Sequence, residues 1–211
     1  MTIRDETLAK IGAGAQPQSP LDDRTAVNII RSRLGGKVER CHSIPHQGSY
    51  SNAAHQWGVS MLLWYLFPVD FPRLVAYTLT HDVPEGWVGD VPATVMRYSP
   101  TVRPELQKLE RLLCDDLAIP FEGDLNDEDH AKLKACDRLE LYLWCCEQLT
   151  LGNLHAREPL LELDRYFKTQ PLPEPAMTFY KTLQGMDVIP QQAGIVSELV
   201  ERAFPSGSTL D

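Results

Sequence analysis

Apolar residues along the chain recur at helical spacing, and capping or breaking residues separate one run from the next. Ser19-Pro20-Leu21-Asp22 supplies a capping serine, a proline at the first helical position and an acid in the first turn. Val27, Ile29, Ile30 and Leu34 follow as an apolar stripe, and Gly35-Gly36 end it, so a helix is predicted there. Lys37 to Tyr50 is dense in polar and charged groups and reads as a loop between helices, a common place for substrate contacts. Ser51 then caps a helix reaching Phe67, with His55 near its start and Trp57, Met61, Leu62 and Leu63 available to the interior; Pro68 closes it.

A second core helix is predicted from Pro72 to His81, because Pro84 cannot continue it, and Glu85 to Pro92 reads as irregular. Leu106, Leu109, Leu112, Leu113 and Leu117 recur at helical spacing after Pro104. Asn126-Asp127-Glu128-Asp129 caps the longest helix, which runs to Leu151 ahead of Gly152-Asn153. Residues 158–168 and 193–204 also have helical character. No stretch alternates as a strand and no repeat is visible, so the expectation is an all-α single globular domain over residues 19–211, preceded by a loosely ordered leader over 1–18.

Composition narrows the chemistry. At 211 residues, 43% apolar and 23% charged, the chain has the make-up of an ordinary globular domain with a real core. A net charge of -9 argues against nucleic acid as a partner, since a polyanion needs a basic surface, but leaves room for a small phosphate held by a few placed cations. The five cysteines, Cys41, Cys114, Cys136, Cys145 and Cys146, are odd in number and form no C-x-x-C pair, which reads as reduced core thiols. Met1 to Thr7 carries acids and lacks an apolar core, and the run from Val59 to Val69 is too short to cross a bilayer, so the expected location is the cytoplasm, with no membrane partner.

The chemistry concentrates in Thr80-His81-Asp82-Val83-Pro84-Glu85-Gly86-Trp87-Val88-Gly89-Asp90. An imidazole and a carboxylate side by side suit a first-row divalent ion, and further ligands must come from elsewhere. His55 lies upstream and Asp137 downstream. Asp137 sits among Leu133, Cys136, Leu139, Leu141 and Leu143, where a carboxylate is costly unless metal-bound or paired with Arg138, Arg97 or another cation. Taken singly, His55 would be a satisfied core histidine and His81-Asp82 a helix-end cap.

The ordered set His, His-Asp, Asp resembles the HD-domain phosphohydrolase superfamily. With Arg40, Glu85, Gly89-Asp90, Tyr142, Cys145, Glu147, Leu149, Gly152 and Asn153, it is more closely similar to the bacterial 5'-deoxynucleotidase branch and its phage deoxynucleoside triphosphohydrolase relatives, over roughly residues 22 to 155. The resemblance implies an HD-domain helical bundle with a metal site between core helices. It implies one divalent ion, cobalt, manganese or zinc, held by His55, His81, Asp82 and Asp137. Glu85 and Asp90 match the catalytic acids that serve the attacking water and the leaving oxygen, and Arg40 matches a phosphate-facing arginine. His42 and Arg97 are further substrate-contact candidates, although strict counting from Asp90 puts Met96 where the family often has lysine.

The implied reaction is attack of water at the α-phosphorus of a deoxynucleotide. It would release nucleoside plus phosphate from a monophosphate, or nucleoside plus triphosphate from a dNTP such as dATP. The alternatives are an HD phosphodiesterase for another signalling nucleotide and a non-catalytic metal- or nucleotide-binding helical protein. Two positions depart from the family pattern: Cys41 stands where an aromatic usually follows the arginine, and Ala54 where a glutamate usually precedes the first histidine. A homo-oligomer, dimer or larger, is expected by resemblance, with Ile195, Val196, Leu199 and Val200 as one apolar face for it.

Overall fold

Helices form the architecture of residues 22–185, the part of the chain that the computed structural model describes; among these residues there is no strand, only an isolated antiparallel bridge between Glu39 and Ser51. The expected leader, the Ser19-Pro20 cap and the helix over 193–204 with Ile195, Val196, Leu199 and Val200 lie outside the described residues. Helix α1, Asp23–Gly35, is capped instead by Asp22, whose carboxylate accepts the Thr25 N–H at 2.7 Å. The apolar stripe on α1 faces outward: Val27, Ile29, Ile30 and Leu34 are 48–65% exposed. What α1 does bury is Gly35, where an added Cβ would lie 2.6 Å from the Val83 Cα and carbonyl oxygen. The glycine therefore does more than stop the helix; it lets two backbones touch.

Helix α2, Asn52–Leu66, starts as its sequence dictates, with Ser51 Oγ accepting the Ala54 N–H. Its inward face is His55, Gln56, Val59, Ser60 and Leu63, a helical repeat that leaves Trp57 on the other side and 65% exposed, contrary to expectation. Helix α3, Phe71–Thr80, has His81 as its C-cap. Both pack on the central helix α7, Asp127–Thr150, capped by Asn126, whose Oδ1 accepts the Asp129 N–H at 2.9 Å. Val59, Leu63, Phe67, Leu74, Leu133, Leu139 and Tyr142 form the shared core, and full burial of each large aliphatic or aromatic side chain contributes about 1.5–3 kcal/mol. Arg73 and Lys132 clamp the far ends of α3 and α7: Arg73 pairs with Asp129 and Asp70, and Lys132 reaches Asp70 at 2.8 Å.

The segment after His81-Asp82 is less irregular than expected. It holds a one-turn helix, α4 (Glu85–Val88), left through Gly89 at φ 76°, and then α5 (Ala93–Tyr98). Helix α6, Val102–Leu117, buries Cys114 and Leu117 but leaves Leu109 and Leu112 exposed. After a 3₁₀ turn at Leu154–Ala156 come α8, Arg157–Thr169, and α9, Glu174–Gly185, which was not expected from sequence and packs Ala176, Tyr180 and Leu183 against the core. Among the described residues no helix is long and apolar enough to cross a membrane.

Candidate metal centre

Three helices deliver the site. His55 comes from the first turn of α2, His81 and Asp82 from the end of α3, and Asp137 from the middle of α7. His55 is fully buried, and the His81 side chain is nearly so. His55 Nε2 lies 3.1 Å from Asp137 Oδ1 and 3.6 Å from Asp82 Oδ2, and His81 Nε2 lies 3.2 Å from the same Asp82 oxygen. Donor atoms of His55, His81 and Asp82 all fall within 4.8 Å of one another. Asp137 joins from the His55 side, while its other oxygen is engaged by Lys134 Nζ at 3.3 Å. The cation foreseen as an alternative partner for Asp137 is thus Lys134; Arg138 turns away to the Tyr166 hydroxyl.

The remaining ring nitrogens fix the tautomers. His81 Nδ1 faces the Thr78 carbonyl at 3.0 Å, and His55 Nδ1 faces the Glu140 carboxylate. Both partners are acceptors, so Nδ1 carries the proton on each ring, an assignment made from the hydrogen-bond network. Both Nε2 atoms are left buried with no hydrogen bond. With Nδ1 engaged on both rings, two Nε2 atoms directed into one pocket beside two carboxylates match what a divalent cation needs once it displaces any proton there, and buried polar atoms without partners are otherwise expensive.

Charge is arranged to keep these acids ionised. Burial pushes Asp82 upward, but His81, Arg40 and His55 outweigh it and hold its carboxyl below the usual range. Burial opposes ionisation of Asp137 too, and Lys134 with His55 and His81 carries it well below that range. Burial works against a charged His55, yet the Asp137 and Glu140 carboxylates raise it to about 9. Glu85 differs: burial and the neighbouring Asp82 push it up to about 8, against Arg40 and the Asn52 hydrogen bond.

Around this pocket the expected substrate residues divide. Arg40 donates to Asp82 and to Asn52 Oδ1, the latter at 3.3 Å, and is mostly buried. It does not pair with Glu39, which instead accepts from the Tyr50 N–H, Ser49 and His46. Glu85 Oε2 accepts from Asn52 Nδ2 at 2.8 Å, placing this acid beside Asp82. Asp90 accepts the Cys41 N–H at 2.7 Å and stands 3.7 Å from His42 Nδ1, so it ties the loop after Arg40 to the end of α4. Cys41 has φ 52°, a left-handed backbone that costs a non-glycine residue about 1–3 kcal/mol and here aims its N–H at Asp90. His46 is a brace, held by the Ile44 carbonyl and Glu39 and edge-on to Trp144. Arg97 belongs to α5, and its side chain lies outside the described residues.

Sequence reasoning missed Tyr50, Asn52, Lys134 and Glu140. Lys134 and Glu140 stand three residues either side of Asp137 and therefore share its helix face, a signal that was available. Two residues of that pattern make structural contacts: the Tyr142 hydroxyl accepts from Gln184, and Asn153 Nδ2 donates to the Pro45 carbonyl and to Gln148, pinning the loop before α2 to the end of α7.

Comparison with known proteins bears on the fold and the family. The family described as 5'-deoxynucleotidase YfbR-like matches residues 37–184. A 5'-deoxynucleotidase of Photobacterium profundum is 28% identical over 115 residues, which is 48% of this chain and 59% of that protein. One from Vibrio atlanticus is 32% identical over 108 residues, covering 44% and 55% respectively. The chain thus spans little more than half the length of these curated relatives. Among solved structures, the cyanophage S-2L HD phosphohydrolase DatZ, bound to dA and one catalytic Zn²⁺ ion, superposes with a TM-score of 0.57 at 15% identity, over 77% of this chain and 96% of that one. A Pyrococcus horikoshii protein gives 0.56 at 17% identity, over 75% and 97%. These two likenesses establish the all-α HD-type fold, and the match over residues 37–184 establishes that the chain belongs to the YfbR-like 5'-deoxynucleotidase family.

Proposed function

We propose that the protein is a divalent-metal-dependent phosphohydrolase acting on deoxynucleotides, with His55, His81, Asp82 and Asp137 as the metal ligands. The observation that carries this reading is the pair of buried, unpartnered Nε2 atoms on His55 and His81, each fixed from behind through Nδ1 and each facing a carboxylate. A divalent ion in this pocket would supply Lewis acidity toward a phosphoryl oxygen and make water a better nucleophile. Its N/O donor set suits zinc, cobalt or manganese.

The protein's own groups supply the rest. Arg40 neutralises charge on the phosphoryl group, for which a guanidinium fork is well shaped, and swings from Asp82 to do so. Glu85, steadied by Asn52, and Asp90, steadied by the Cys41 N–H, are the acids that take a proton from water and return one to the leaving oxygen. His42 and Arg97 act as further substrate contacts. The substrate is a 5'-deoxynucleoside mono- or triphosphate, as the names of the relatives and the dA of the phage neighbour support. Five free cysteines support a reducing compartment, the cytoplasm. The exposed stripe of Val27, Ile30 and Leu34 on α1 supports assembly as a homo-oligomer.

The test is a metal-stripped preparation refilled with Zn²⁺, Co²⁺ or Mn²⁺ and assayed against each deoxynucleoside mono- and triphosphate, with phosphate and triphosphate measured separately. Metal-restored turnover of a deoxynucleotide is expected. Metal uptake without turnover of any would favour a nucleotide-binding or structural role instead.

A further inference from the structure

The candidate ligand His55 does not stand alone: its Nδ1 meets Glu140, and the same Glu140 oxygen accepts the Tyr50 hydroxyl. Tyr50 OH is in turn 3.2 Å from His55 Nδ1, and its ring is stacked on Trp144 at 4.6 Å with an interplanar angle of 13°. Glu140 reaches this position across α2 at a point where α2 has no side chain. A Cβ at Gly58 would lie 2.6 Å from Glu140 Cγ, 3.0 Å from Oε1 and 3.1 Å from Cδ. Gly58 is one turn beyond His55 in the middle of a helix, where glycine has nothing to recommend it conformationally.

We propose that Glu140 is the positioning residue for His55 and that Gly58 is glycine in order to admit it. On this reading, which rests on the metal site proposed above, the Glu140 carboxylate holds the His55 proton on Nδ1 and aims Nε2 at the ion, while Tyr50 locks the carboxylate in one rotamer. Neither Glu140 nor Tyr50 is itself a ligand in this assignment. An outer carboxylate that orients a ligating histidine typically contributes a factor of about 10–100 in metal affinity. A methyl group at position 58 displaces the flexible Glu140 side chain, so it should weaken metal binding without altering any ligand.

The experiment measures the dissociation constant for Zn²⁺ by chelator competition, together with melting temperature in the absence of metal, for the wild-type chain, Glu140→Ala, Glu140→Gln, Gly58→Ala and the double variant. Glu140→Ala should bind Zn²⁺ about 10–100-fold more weakly. Glu140→Gln, which keeps an acceptor for Nδ1–H but not its charge, should fall between Ala and wild type. Gly58→Ala should lose affinity in the same direction while its metal-free melting temperature holds or rises, since alanine is the better helix former. The double variant should bind no more weakly than Glu140→Ala alone, because both substitutions remove one contact. A folded Glu140→Ala with Zn²⁺ affinity within twofold of wild type would overturn the assignment, and so would a Gly58→Ala that binds like wild type. If the wild type itself takes up no divalent metal, the reading of the site fails at its root; if the wild type binds and the variants bind equally, the failure is confined to Glu140 and Gly58.

Discussion

Lys134 Nζ lies 3.3 Å from Asp137 Oδ2 and 2.9 Å from Glu122 Oε2, so the one candidate metal ligand in the middle of α7 already has a counter-ion. A carboxylate mostly removed from water must be compensated in some way, and Lys134 and His55 share that task. The ion would take over much of it.

Replacing Lys134 with methionine therefore has unequal consequences with and without metal. In the stripped protein it leaves Asp137 underpaired and should destabilise by about 1–3 kcal/mol, less than for a wholly buried pair because both groups keep some solvent. With Zn²⁺ bound, the same variant should recover most of that loss. Thermal melts with and without metal check it: the gain in melting temperature on adding Zn²⁺ should be larger for Lys134→Met than for wild type.

Arg40 donates to Asp82 and Asn52, inside the pocket and away from bulk solvent. Arg40→Ala should lower kcat/KM for a deoxynucleotide by roughly 10²–10³-fold, the loss typical of removing one donor aimed at developing charge. Arg40→Lys should recover little, since a point charge does not reproduce the guanidinium fork. Steady-state kinetics on the metal-loaded enzymes, read beside circular dichroism to confirm the fold, decides the matter.

Gly35 predicts a mechanical effect on the site. The Cβ of Gly35→Ala would meet the Val83 backbone at 2.6 Å, one residue after Asp82, and backbone cannot rotate aside as a side chain does. The substitution should cost about 1–3 kcal/mol, the range for forcing atoms into a packed interior. Chemical denaturation measures the cost, and turnover should fall as well, because Val83 links His81-Asp82 to Glu85.

Stability should depend on acid through the clamp that joins α3 to α7. Asp129 accepts both Arg73 nitrogens and Asn126 Nδ2, and the hydrogen bond from Arg73 holds its carboxyl below the usual value although burial opposes this. A depressed native pKa means the clamp contributes fully above the ordinary aspartate range and fades as pH falls through it toward the lower native value. Melting temperature should therefore drop between pH 5 and pH 3 in wild type, and the drop should be shallower in Asp129→Asn; equal slopes would remove Asp129 from the account.

Much of the architecture could be read from local chemistry. Ser51 and Asn126 start α2 and α7 where side-chain capping requires, and the prolines after α2 and α3 end them. Periodicity reported which α1 residues share a face but not what that face meets, and Val27, Ile30 and Leu34 stand exposed on it. Helix α9 escaped because Pro173 and Pro175 look like breakers, although both fall at its start, where proline is tolerated, and Ala176, Tyr180 and Leu183 keep helical spacing. That His55, His81, Asp82 and Asp137 come together was legible through their order. Asn52, Glu140 and Lys134 were not: three-residue spacing puts Glu140 and Lys134 on the face of Asp137, but nothing local says whether that face meets a pocket or solvent. Their roles exist only once α2, α3 and α7 are brought together.

The central claim concerns four side chains and one ion, and an anomalous-difference map of Co²⁺-loaded crystals recorded at the cobalt edge tests it directly. The account predicts a single strong peak in the α2–α3–α7 pocket, about 2.0–2.2 Å from His55 Nε2, His81 Nε2 and oxygens of Asp82 and Asp137. A cobalt-soaked crystal with no peak there, or with its peak at other residues, would contradict it.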